Sequence, residues 1–270
     1  MTGRLLQLLR WRLTLMNGFA ALGGYLLYPA KADAAQLLAA FGGTALLAAA
    51  GSAANQALER DIDRLMERTR RRPVARGSLT PEMALATGGL LAVLGLLWLG
   101  VLGSPGAALL GIAALLWYLV VYTPLKRRTS LALPIGAVCG AVPPLMGWSI
   151  AGGLPGDHRI MLLAGVMYLW QIPHFWLLQR RHCSDYQSAG IPLCPIGSGS
   201  NPTPLLTLWI IALVAAAMLL PVFGIIAPQR AAWYAVVLLS MILMLALRSD
   251  KLLFTSLNLF PLLILLAVWP

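Results

Sequence analysis

Charge is scarce in this chain: of 270 residues only 11% are Asp, Glu, Lys or Arg, and nine are acidic. A water-soluble domain carries about 25% charged and about 45–50% apolar residues. An apolar fraction of 59% and a mean hydropathy of +0.79 therefore exclude a large soluble domain. Cysteine is also rare. Cys139, Cys183 and Cys194 are odd in number and form no C-x-x-C, which argues against a disulfide framework or a thiolate zinc site, and they read as small apolar residues. No small-residue cleavage site closes a short apolar segment after Arg4, Arg10 and Arg12, so this stretch reads as a cytoplasmic lead-in to a first span. No fixed-period repeat of the solenoid kind is present.

What the chain has in abundance is long apolar runs. At ~20 residues per span its length allows at most about ten crossings. Charges, Gly/Pro pairs and polar clusters divide it into nine candidate helices, at 13–29, 35–55, 83–102, 105–123, 131–151, 160–179, 203–223, 230–248 and 252–269. The expectation is an all-α, polytopic membrane bundle of about nine helices, forming one domain over residues 1–270. With the N-terminus placed inside, only Lys31, Arg159 and Arg230 fall on outer loops, and every other Lys and Arg is cytoplasmic, as the positive-inside rule requires. The net charge of +11 lies in short clusters between apolar runs, where it meets lipid headgroups or a phosphorylated substrate. No nucleic-acid partner is expected. The lipid bilayer is one, and the setting is a bacterial-type cell inner membrane with the polar chemistry near the cytoplasmic face.

Two constellations carry that chemistry. In the first, Asn55, Glu59 and Asp63 lie at i, i+4 and i+8, so on one helix they share a face. An oxygen-rich face of this kind suits Mg²⁺, which takes one or two carboxylates plus substrate phosphates. The alternative is a solvated helix end laced by Arg60–Asp63, Arg64–Glu67 and Glu67–Arg71 pairs. Against it, Glu59–Asp63 and Asp63–Glu67 are like-charge i, i+4 pairs, which are destabilising unless a cation bridges them. The run Arg70-Arg71-Arg72 reads either as an anchor to anionic lipid or, with Arg68, as a source of bidentate diphosphate contacts through Arg68 and Arg72.

The second constellation comprises Tyr122-Thr123-Pro124-Leu125-Lys126-Arg127-Arg128 and Trp170-Gln171-Ile172-Pro173-His174-Phe175, both near cytoplasmic helix ends. Lys126 and Arg127 are available to neutralise a leaving diphosphate. Intramembrane Gln and His must find partners or line a cavity, and for His174 a structural and a functional reading stand side by side. Further on, His182, Cys183 and Asp185 match no zinc template, while the carboxylate of Asp185 is expected to face the acidic helix or its cation.

These segments resemble a known family. N-x-x-x-E-x-D-x-D-R-x-M-x-R-T at 55–69, Y-T-P-L-K-R-R-T at 122–129, G-A-V-P-P-L-M-G-W at 140–148, L-W-Q-I-P-H-F at 169–175 and D-Y-Q-S-A-G-I-P at 185–192 are similar to the haem O synthase branch of the UbiA-type intramembrane prenyltransferases. The resemblance covers roughly half the chain, and it implies a helical bundle around a central cavity that binds an isoprenyl diphosphate through Mg²⁺. It further implies transfer of farnesyl from farnesyl diphosphate to a vinyl group of haem B, with addition of water, to make haem O for terminal oxidases. A haem A synthase or oxidase-assembly partner is then the expected downstream contact.

Carried over by position, the resemblance makes Asn55, Glu59 and Asp63 the metal ligands and, with Lys126, the catalytic group. It assigns Arg68, Arg72, Tyr122, Lys126 and Arg127 to the diphosphate, and His174, Asp185 and Tyr186 to the haem side. The chain departs from the family at Glu59, where Asp is usual, and at Arg10-Trp11-Arg12, where Lys-Pro-Arg is common. Ala189 stands where quinone-type relatives have a second Asp, and Cys194 interrupts the usual Ile-Pro-Met-Leu-Pro. The rival readings are a prenyltransferase with a quinone precursor or another aromatic or tetrapyrrole acceptor, disfavoured by Trp170 to Phe175, and a transporter. A transporter is disfavoured because acids and bases cluster on one face instead of forming a path across.

Overall fold

A computed structural model describes residues 2–29, 31–193 and 203–269. Cys194 and Pro195, at the end of the Gly190-to-Pro195 motif, lie outside the described residues. The helices are α1 Thr2–Leu8, α2 Trp11–Leu26, α3 Ala34–Leu58, the short α4 Arg60–Leu65, α5 Pro81–Gly103 and α6 Pro105–Leu125. They continue as α7 Ala132–Ile150, α8 His158–Arg181, the short α9 Cys183–Ser188, α10 Pro204–Val222, α11 Pro228–Ala246 and α12 Asp250–Val268. No strand occurs among the described residues.

Eight of these helices are long and apolar enough to cross a membrane. The sixteen residues of α2 reach only ~24 Å at 1.5 Å per residue, short of a ~30 Å hydrocarbon core. With α2 counted, the described helices match the nine expected, and their bounds fall within a few residues of the sequence reading.

Local chemistry sets most of the helix starts. Thr80, Ser104 and Thr203 each accept a backbone N–H through the side chain and are followed by proline at the first helical position, where the missing proline N–H costs nothing. Asp33 and Asp157 cap α3 and α8 in the same way. Wider π-type turns interrupt α3 at Ala39–Gly43, α5 at Leu99–Gly103 and α6 at Trp117–Tyr122; such turns often mark functional sites. The last of them carries Tyr118 and Tyr122, whose rings stack with centroids 5.8 Å apart.

Helices in lipid gain little from apolar burial against one another, so small residues and satisfied polar groups decide their packing. The crossing of α2 on α7 rests on glycine from both sides. A Cβ on Gly24 would run into the Pro144 carbonyl, and one on Gly147 would run into the Ala21 carbonyl. The larger core is built from α7, α8 and α10 to α12 around Trp148, Tyr234 and Phe260. Two of its polar tips are satisfied, Trp148 Nε1 donating to the Leu154 carbonyl at 2.9 Å and Tyr234 Oη to that of Ala217 at 3.1 Å, while the Trp176 indole N–H is buried without a partner. Large apolar side chains such as Val101, Leu109 and Val236 point outward, the surface a bilayer covers. Helices α2, α3, α6, α7 and α8 enclose a cavity of about 260 Å³.

Candidate active site

The cavity runs from a polar mouth to an apolar floor. Helix α3 supplies its long wall, with Thr44, Leu47, Ala48, Gly51, Ser52, Asn55 and Glu59 all lining it. That spacing of three and four residues is one face of a helix. Met146 and Gly111 close the deep end, while Arg10, Asp63, Arg68, Arg72 and Lys126 join Glu59 on the lining.

The acidic face differs from an uninterrupted helix. Glu59 has φ −111° and ψ 14°, so the chain turns between α3 and α4. The Asp63 N–H still reaches the Glu59 carbonyl at 2.8 Å, and Asn55, Glu59 and Asp63 remain on one cavity wall, each buried. Asn55 Nδ2 donates to Glu59 Oε2 at 2.8 Å, and Asn55 Oδ1 accepts from Thr123 Oγ1 at 3.0 Å. The amide is thereby oriented from both ends. Glu59 forms an ion pair with Lys126 Nζ. Arg72 Nη1 donates to both Asp63 oxygens, at 2.9 and 2.8 Å. Two buried carboxylates are thus each met by a long cationic side chain, the arrangement that a buried charge requires. Burial pulls the Lys126 ammonium below its ordinary range, with Glu59 opposing the shift.

The acidic residues take other partners than the Arg60–Asp63, Arg64–Glu67 and Glu67–Arg71 pairs expected along the helix, one of them local and the others longer-range. Glu67 meets Arg70, while Asp61 takes both terminal nitrogens of Arg127 at 2.7 and 2.9 Å. The hydrogen bond from Arg127 holds the Asp61 carboxyl below the usual range.

Several expected site residues take other positions. Arg127, expected on the diphosphate, also donates to the Leu58 carbonyl at 2.8 Å and clamps the end of α6 to the α3–α4 turn outside the cavity. Its neighbour Lys126 points inward, because consecutive helical residues diverge by about 100°. Asp185, expected to face the acidic helix or the haem side, lines no part of the cavity. Its two oxygens accept the backbone N–H groups of Glu67 and Arg68 at 3.0 and 3.1 Å. It therefore fixes the loop that carries Arg68 and Arg72. Tyr186 lies against Arg68 on the cavity wall, where burial raises its phenol above the usual range. His174 lies off that wall, its ring stacked between Trp170 at 5.2 Å and Phe254 at 5.4 Å. Its Nδ1 is buried without a hydrogen-bond partner.

The structure also adds residues that sequence reasoning left out of the site. Arg10 has a left-handed backbone, φ 49° and ψ 54°, uncommon for a non-glycine residue. Its side chain lines the cavity within electrostatic range of Asp63, Arg68 and Arg72. Asn17 and Tyr118 share the lining, and Thr123 orients Asn55. Asn17 and Gln171, polar residues inside apolar runs, left a signal in the sequence.

Among the described residues no three His, Cys, Asp or Glu side chains form a metal-binding group. Glu59 and Asp63 bring two carboxylates to the cavity lining, and a Mg²⁺ site commonly takes one or two carboxylates and draws its other ligands from phosphate and water.

A model of the UbiA prenyltransferase family matches residues 17–267. A Geobacter sulfurreducens protein named Protoheme IX farnesyltransferase is 56% identical over 269 residues, covering 99% of both chains. Among solved structures, the apo form of a UbiA homologue from Aeropyrum pernix superposes with a TM-score of 0.76 at 22% identity, covering 96% of this chain and 98% of that one. A UbiA homologue from Archaeoglobus fulgidus bound to GPP and Mg²⁺ gives a TM-score of 0.71 at 16% identity, covering 98% of each.

Proposed function

The chain belongs to the UbiA prenyltransferase family, and from that membership we propose that it transfers farnesyl from farnesyl diphosphate to a vinyl group of haem B, making haem O. The observation that carries this reading is a cavity with cation-paired carboxylates among its lining residues and an apolar end. The choice of farnesyl and haem rests on the full-length relative named for that activity.

On this reading the diphosphate lies at the mouth and the prenyl chain extends along the α3 wall toward Leu47, Gly111 and Met146. Glu59, oriented by Asn55, and Asp63, held by Arg72, would hold Mg²⁺, which supplies positive charge against the leaving diphosphate when bound. Lys126 and Arg72 exchange their resident carboxylates for diphosphate oxygens as charge builds on the leaving group, with Arg68 and Arg10 beside them on the lining. Fixed charge aimed at a leaving group is usually a large catalytic contribution. Tyr122 forms the wall between the charged mouth and the apolar depth, and the apolar depth keeps bulk water from the allylic cation. Asp185 and Arg127 act as positioning residues, the former for the arginine loop and the latter for the α3–α4 turn. The distribution of Lys and Arg supports a cytoplasmic placement of the N-terminus and the cavity mouth at the inner membrane.

The test is incubation of the purified protein with haem B, farnesyl diphosphate and Mg²⁺, with and without EDTA, followed by chromatography and mass analysis. Haem O formed only in the absence of EDTA is the expected result. Consumption of farnesyl diphosphate on another acceptor would keep the transferase and overturn the haem assignment.

A further inference from the structure

Gln171 lies on the inner side of α8, 7% exposed, in a helix otherwise apolar at that depth. Its Nε2 donates to the Ala137 carbonyl on α7 at 3.0 Å and to the Met167 carbonyl at 3.1 Å. Two carbonyl acceptors determine which end of the amide is nitrogen, and among the described residues no donor is hydrogen-bonded to Oε1, the free end of a side chain that lines the cavity. Gly140 makes room for this pose, because a Cβ there would run into the Gln171 carboxamide.

The depth of this oxygen can be read along α7. Tyr122 packs on Gly136, one helical turn nearer the mouth than Gly140, so Gln171 sits about 5 Å below Tyr122. Tyr122 is in turn one turn below Lys126 along α6. The carboxamide therefore lies about two turns below Lys126, which on the reading above puts it under the diphosphate and beside the carbon end of the prenyl chain.

We propose that Gln171 is a positioning residue that holds the water completing the reaction; this rests on the haem reading above. The terminal vinyl carbon forms a bond to C1 of the farnesyl group while the C1–O bond breaks and diphosphate leaves with the electron pair. Positive charge is then left on the vinyl carbon attached to the ring. That cation either loses a proton to give an alkene or takes up water. In the second course the water oxygen forms the new C–O bond and its proton passes to the freed diphosphate. An amide oxygen only accepts hydrogen bonds. It cannot pair with phosphate or carboxylate oxygens, but it holds a water by one proton and leaves that water's lone pair free to attack. In an apolar cavity such an anchor decides between hydration and elimination.

The test compares Gln171→Met, which keeps the volume and removes the acceptor, with Gln171→Glu, which keeps an acceptor oxygen. Products are resolved by mass after incubation with haem B, farnesyl diphosphate and Mg²⁺. For Gln171→Met the hydroxylated fraction should fall by about three- to tenfold, the scale of one neutral hydrogen bond, and a product lighter by one water should appear. Gln171→Glu should still make the hydroxylated product. Full hydroxylation by Gln171→Met would overturn the proposal. Should Gln171→Met form no product, the Glu variant decides: a hydroxylated product supports the role and a dehydrated one overturns it. Wild-type protein that farnesylates no haem refutes the haem reading itself, a result distinct from either variant's.

Discussion

Replacing Asp185 by alanine removes a carboxylate whose two oxygens hold the backbone N–H groups of Glu67 and Arg68, residues more than a hundred positions away in the chain. A hydrogen bond to a charged group contributes about 1.5–3 kcal/mol. Losing two, with part of the energy recovered by local relaxation, should cost about 3–5 kcal/mol of the loop's ordered state. Other ties remain, since Thr69 Oγ1 donates to the Asp63 carbonyl at 3.0 Å and Ser188 Oγ to that of Leu65 at 3.1 Å. The loop should therefore loosen without unfolding the bundle. Arg68 and Arg72 ride on it, and a misplacement of about 1 Å can cost a hundredfold in rate. In steady-state assays with farnesyl diphosphate varied at saturating haem B, KM for the diphosphate should rise about tenfold or more while KM for haem stays constant. The melting temperature in detergent should fall by several degrees. Asp185→Asn, which keeps one acceptor oxygen, should show about half the energetic effect. A rise confined to KM for haem, with melting and diphosphate KM unchanged, would refute the loop-fixing role and return Asp185 to the acceptor side.

Asp63→Asn should lower turnover about a hundredfold or more with little loss of folded protein, because the released Arg72 guanidinium can turn toward cavity water; wild-type turnover with Mg²⁺ present would sink the carboxylate's role. Lys126→Ala should lower kcat/KM for farnesyl diphosphate by about 10²–10³. Arg127→Ala should cost less than about tenfold, since exposed ion pairs are worth about 0–1 kcal/mol; equal losses in the two variants would contradict the inward and outward placements. His174→Phe should preserve the melting temperature by keeping the stack on Trp170 and Phe254. It should still abolish haem farnesylation, because a buried ring nitrogen with no partner is costly unless used. Wild-type turnover by that variant would make His174 purely structural.

The bundle was legible in the sequence because membrane spans are written locally. A run of ~20 apolar residues, its flanking charges and its capping Thr-Pro or Ser-Pro pairs need no distant partner to be read. The same holds for Asn55, Glu59 and Asp63, which share a cavity wall even though the chain turns at Glu59, since the Asp63 N–H still reaches the Glu59 carbonyl. Other features depend on elements that meet only after folding. Asp185 finds its donors in a loop 117 and 118 residues away. Lys126 and Arg127 are adjacent in the chain, yet only the packing of α6 against the α3–α4 turn sends one into the cavity and the other to Asp61. Arg10 and Gln171 gain their places from a left-handed backbone residue and from space left by Gly140 on another helix. Hydropathy and local spacing thus determined the spans and the acidic wall. The direction of each side chain, and with it the membership of the site, was decided by tertiary packing, because direction depends on which carbonyl, carboxylate or void a neighbouring helix presents.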